Sequence, residues 1–277
     1  MPKQRSTVEG RASLFVRLHG AIRDSSAGRG WRRGGELELM PRSLGFAALG
    51  FLTLVPLLIV VSAADPAHGR GFAQWLGDAL GVSASARQHV GQLFSGPGQV
   101  LRTTTAFGLA ALAVFGLSFG AAVQTFYEKV WELSPARWHG RWRHVLWLGV
   151  LVGGLFASAT TTVWRHSLTG TAGGSLSAVV FFWWSQRMLL GGRITWPALL
   201  PGAAATVLGL VGLRIFSRLV FSPLIASSAV TYGPFGTVLV IQSWLGGVGV
   251  VVLGGALVGR VLHEELLRVS KVWRRRK

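Results

Sequence analysis

The chain contains no cysteine, which excludes disulfides, thiolate metal sites and a cysteine nucleophile. Acidic residues are scarce as well: 10 against 28 lysines and arginines in 277 residues, a formal net charge of +18. Their placement is informative. Glu9, Asp24, Glu36, Glu38, Asp65, Asp78, Glu128, Glu132, Glu264 and Glu265 all fall outside the long apolar runs, which leaves those runs without a carboxylate for proton or sodium coupling. Charged residues make up 14% of the chain and hydrophobic ones 50%, whereas soluble domains carry roughly 25% charge. An ordinary soluble protein is excluded, and a membrane is the natural solvent. The 7 histidines show no H-E-x-x-H or comparable ligand spacing. Neither paired carboxylates nor a nucleophile with its base stands out, so the expectation is a non-enzyme without metal or cofactor.

What is present is apolar length. Six stretches approach the ~20 residues that a hydrocarbon core requires, at 44–64, 103–124, 145–164, 176–190, 198–218 and 236–259. The fold expected is therefore an all-α polytopic membrane protein, a compact bundle of six transmembrane helices over 44–259. It is flanked by a basic arm at 1–43 and a basic tail at 260–277. Within the arm, Leu14, Phe15, Leu18 and Ile22 recur at helical spacing in ASLFVRLHGAIRD (12–24), as in a surface-lying amphipathic helix; a loosely ordered tail is the alternative. Pro56 should kink the first span.

Orientation follows from the cations. The arm, the 125–144 loop, Arg193 and the tail hold 21 of the 28, and the alternate loops hold only Arg70, Arg87, Arg102 and Arg165. By the positive-inside rule both termini are cytosolic. SPARWHGRWRH (134–144) then falls in a cytosolic connection immediately before an apolar run. Its Arg137, Trp138, Arg141, Trp142 and Arg143 suit a lipid interface, where Trp sits at headgroup depth and Arg meets anionic lipid. The same residues could grip single-stranded nucleic acid, but the interface accounts for both residue types with no further ligand, and no specific nucleic-acid partner is expected.

Three small-xxx-small pairs, Gly116 with Gly120, Gly149 with Gly153 and Gly255 with Gly259, allow close helix approach within a compact bundle or between copies in a homo-oligomer. Arg187 and Arg214 are cations near span ends, and Arg218 follows Arg214 at i+4. Two readings are open: their side chains snorkel to headgroups, or they face the bundle interior and bind an anionic partner such as a lipid phosphate.

LTLVPLL at 52–58, GLSFGAAVQTFYEKVWEL at 116–133, LLPGAAAT at 199–206, YGPFGTVLVIQSW at 232–244 and GGALVG at 254–259, in that order, give the chain a resemblance to the YihY/BrkB family of six-span bacterial inner-membrane proteins. The resemblance covers 41–265. It implies a helical envelope protein with a transport or lipid-handling role. The older ribonuclease label of that family would need a catalytic constellation that is not found here. Many members carry an acidic residue after the final Gly-Ala; here Leu257 follows Ala256. The function expected is transport or handling of an anionic amphiphile, with a non-transporting envelope scaffold as the alternative and a membrane-attached ribonuclease third.

Overall fold

The computed structural model describes residues 26–64, 100–135, 141–160, 168–221, 224 and 234–274. Among them are seven helices and no strand: α1 (Ser26–Glu36), α2 (Leu39–Ala64), α3 (Val100–Val130), α4 (Arg141–Thr160), α5 (Leu168–Leu189), α6 (Trp196–Leu219) and α7 (Pro234–Arg274). The amphipathic segment expected at 12–24 lies outside the described residues.

Each of the six apolar stretches overlaps one of the helices α2 to α7, and 161–164 of the third lie outside the described residues. Four segments are long and apolar enough to cross a bilayer: Leu39–Leu57, Ala106–Val130, Trp196–Leu219 and Phe235–Arg268. The helices α4 and α5, of 20 and 22 residues, are not among these four. The helix α2 runs through Pro56 without interruption.

Three boundaries differ from the sequence expectation. The last part of the basic arm is a helix, α1, and α2 starts at Leu39 rather than 44. The helix α3 continues past 124 to Val130 and carries Glu128, 5% exposed, into the packed end of the bundle, so a buried carboxylate does exist. The C-terminal segment is no separate tail up to Arg274: α7 has 41 residues, about 60 Å at 1.5 Å per residue and roughly twice a hydrocarbon core. Its continuation holds a half-buried Arg260–Glu264 pair one turn apart, 2.7 Å between Nε and Oε1.

The helix α7 is the hub, packing against α6, α2, α1 and α3, while α2 packs on α3 and α5 on α6. Glycine decides how close these helices come. A Cβ on Gly259 would sit 2.6 Å from the Gly202 Cα, and one on Gly249 2.8 Å from the Ser43 carbonyl oxygen. One on Gly255 would fall on Thr206. Likewise, a Cβ on Gly116 would meet Leu148 at 2.6 Å, and one on Gly120 would meet Trp147 at 3.3 Å. Two of the three sequence pairs are thus consumed inside the chain, at the α6–α7 and α3–α4 crossings. They are not free to join copies. Gly149 and Gly153 have nothing within 4 Å of such a Cβ.

The core, with Phe46, Phe119, Val123, Phe126, Tyr127, Trp147, Leu189, Leu199, Leu253 and Ala256, lies toward one end of the bundle. Outside it the surface is apolar, with Phe107, Leu208, Leu219 and Phe235 each at least two-thirds exposed, a surface that hydrocarbon solvates and water does not. Six hydroxyls on this surface and inside the bundle are satisfied within their own helices. Ser43, Thr53, Ser118, Thr125, Thr206 and Ser243 each donate to the carbonyl four residues back, so none needs water.

Candidate functional site

The start of α4, the end of α3, the α5–α6 turn and the continuation of α7 meet at the same end of the bundle, and nearly all the described ion pairs lie there. Two charge clusters can be compared. In the first, Arg33 of α1 donates to Glu264 at 2.8 Å, Arg260 pairs with the same carboxylate, and both cations lie 3.8 and 3.9 Å from Glu132. Two cations face two carboxylates, and the Arg260 guanidinium also covers the Trp131 ring at 5.3 Å. This cluster is balanced, and it clasps α1 and the end of α3 onto α7.

The second cluster surrounds the turn from α5 to α6. Gly191 and Gly192 take φ of +67° and +73°, the left-handed region open to glycine, and they stop α5. Thr195 and the proline in the first turn of α6 restart the chain as helix. Three arginines converge on this turn. Arg193 donates to the Leu190 carbonyl at 2.9 Å, to the Ser134 carbonyl at 2.6 Å and to Glu128 Oε1 at 2.5 Å. Arg187 folds back from the last turn of α5, donates to the Ile194 carbonyl and lies over the Trp196 ring at 5.4 Å. Arg143 reaches across from α4 so that a Cβ on Gly191 would lie 3.2 Å from its Cζ, and its guanidinium stands 5.9 Å from the Trp142 ring.

Glu128 balances Arg193 and also accepts from Gln124 at 2.8 Å; Gln124 in turn meets His144 Nε2 at 2.5 Å. Arg143 and Arg187 have no carboxylate partner among the described residues. Two like charges brought to one turn repel, and an anion bridging them reverses the sign. Trp142, 59% exposed, and Trp196, 40% exposed, flank them as headgroup-level anchors do.

Of the two readings open for Arg187, Arg214 and Arg218, a shared interior anion site is not assembled. Arg187 belongs to the turn, whereas Arg214 lies on α6 about 27 Å beyond Trp196 at 1.5 Å per residue. Both Arg214 and Arg218 are exposed there. Of the interface residues, Trp142 and Arg143 are placed as just described, Arg141 opens α4, and Arg137 and Trp138 lie outside the described residues. Arg193, Glu128 and Trp196 had been missed as site residues. The Gly-Gly-Arg run that ends α5 was their one local signal.

Comparison of the chain with protein-family models, curated proteins and solved structures finds no match.

Proposed function

We propose that the chain is a six-span bacterial inner-membrane protein of the YihY/BrkB type, with both termini cytosolic, and that it handles an anionic amphiphile whose phosphate is held at the α5–α6 turn. The observation that carries this reading is the pair Arg143 and Arg187, uncompensated by carboxylate among the described residues and flanked by two exposed tryptophans. A guanidinium fork suits phosphate, and charge-assisted hydrogen bonds of this kind contribute about 1.5–3 kcal/mol each. The residue order quoted for the family resemblance supports the family reading. The 21 cations grouped on one set of connections support the orientation.

Arg143→Gln and Arg187→Gln should each lower retention of phosphatidylglycerol by the purified protein about tenfold, measured by native mass spectrometry against phosphatidylcholine. Arg214→Gln and Arg218→Gln should leave it unchanged. Lys at either turn position keeps charge but loses the fork, and should fall between wild type and Gln. Equal retention in all variants would end this assignment. A second reading rests on the Arg187 bond to Ile194 and its stacking on Trp196, which also fit a purely structural lock in a non-transporting scaffold. In that case Arg187→Gln lowers thermal stability while lipid retention stays as in the wild type.

Orientation has its own test, helped by the absence of native cysteine. Single cysteines at Ser83, Ser175 and Ser227 should react with an impermeant maleimide on intact spheroplasts, and those at Ser6 and Ser134 should react only after lysis. Outside labelling at Ser134 would invert the topology.

A further inference from the structure

Between α2 and α3 lies a cleft of about 260 Å³. Phe46, Phe126 and Leu253, all buried, form its floor, and exposed Gly45 and Thr125 form its rim, so it opens sideways onto the apolar exterior. Arg42 is the one charged residue that lines it. From Arg42 to Leu49 the α2 wall is about 10 Å long at 1.5 Å per residue. Arg42 donates through Nε to the Leu37 carbonyl at 2.9 Å and through Nη2 to Glu38 at 3.2 Å. Its Nη1 has no protein partner among the described residues, and Glu38 is 65% exposed, so that pair holds the cation weakly.

The chemistry selects an occupant. Water requires two to four polar partners, and the Thr125 hydroxyl already donates to the Ala121 carbonyl, which leaves the wall below Arg42 apolar. An apolar void beside hydrocarbon forfeits dispersion contacts unless a chain fills it. The volume falls just under the roughly 300–1,000 Å³ of small-molecule pockets, which suits part of one chain rather than a whole lipid. We infer that this cleft holds an acyl chain of an anionic membrane phospholipid, with its headgroup phosphate on Arg42. The site is separate from the α5–α6 turn and does not depend on what binds there.

The test uses the full chain in phosphatidylcholine nanodiscs doped with phosphatidylglycerol that carries a diazirine on one acyl chain, with a phosphatidylcholine probe in parallel. Photolabelling is mapped by peptide. In the wild type the phosphatidylglycerol probe should label the peptides around Gly45 and Thr125 more strongly than the phosphatidylcholine probe does. Gly45 lines the cleft and a Cβ on it meets nothing within 4 Å, so Gly45→Leu is the substitution chosen to fill it. It should lower labelling about fivefold, the equivalent of losing roughly ten carbon–carbon contacts. Arg42→Gln should abolish the preference for phosphatidylglycerol while chain labelling persists. Gly149→Leu, a second open glycine, should change nothing. Should Gly45→Leu unfold, Ala122→Leu fills the cleft from the α3 side. Labelling that is unchanged by the filling substitution, or equal for both probes in the wild type, overturns the inference. Arg143→Gln and Arg187→Gln serve to separate the sites: they should leave cleft labelling intact even if the turn proves to bind no lipid.

Discussion

Gly259→Leu is expected to cost about 3 kcal/mol or more and to remove most of the monodisperse protein from detergent, because the added carbon has nowhere to go. A Cβ there would lie 2.6 Å from the Gly202 Cα and 2.7 Å from its nitrogen. Those atoms are backbone and cannot rotate away, so α6 and α7 would have to separate along the most extensive contact in the bundle. Close backbone approach is the main gain open to helices already dissolved in hydrocarbon, where burial of apolar surface drives little. Gly153→Leu uses the same residue types on α4, where a Cβ meets nothing, and should stay within about 0.5 kcal/mol of wild type. Thermal unfolding followed by size-exclusion chromatography separates the two. A Gly259→Leu protein as stable as the Gly153→Leu one would show that the crossing tolerates separation.

Apolar length was enough to find the helices, since every stretch near twenty residues became one. Spacing was not enough to find their partners. Gly149 with Gly153 looks the same in sequence as Gly255 with Gly259, yet only the second pair abuts another helix. The difference lies in Gly202 and Thr206, some fifty residues away. The end of α3 was hidden for a related reason. Thr125, Tyr127, Glu128 and Lys129 dilute the apolar run, but Glu128 follows Gln124 by one turn and its cation comes from 65 positions later, so polarity signalled a loop where tertiary pairing sustains a helix.

The arginines teach the same lesson from the other side. Arg187 was legible as a cation near a span end, and the Gly-Gly-Arg turn was legible as a turn. That Arg143 would arrive from α4 to share it was not, because only the α3–α4 and α4–α5 packing brings them together. The isolated position of Arg214 follows from geometry that sequence does contain: it and Arg218 share one face of α6, and the glycines and small residues that bury α6 against α7 occupy the other. A cation four residues from another cation, opposite the packing face, is placed for headgroups and not for the interior.

Arg193→Ala should destabilise the protein by about 2–3 kcal/mol, more than Glu128→Gln, although both remove the same ion pair. The two partners are unequally exposed: the Glu128 side chain is 6% exposed and that of Arg193 is 31%. Without Arg193, the carboxylate in the packed end of α3 loses the cation that donates to it at 2.5 Å and keeps Gln124. Without the Glu128 charge, Arg193 keeps its bonds to the Leu190 and Ser134 carbonyls and turns its remaining donors toward solvent, at a cost of about 1 kcal/mol. The double variant should therefore be more stable than Arg193→Ala alone, since neutralising Glu128 removes a buried charge that has lost the Arg193 contact. Chemical unfolding of the four proteins in one detergent closes the cycle. Additive losses, or a larger loss for Glu128→Gln than for Arg193→Ala, would mean that Glu128 is better solvated than its burial indicates, and that Arg193 ties the α5–α6 turn to the end of α3 through the Ser134 carbonyl.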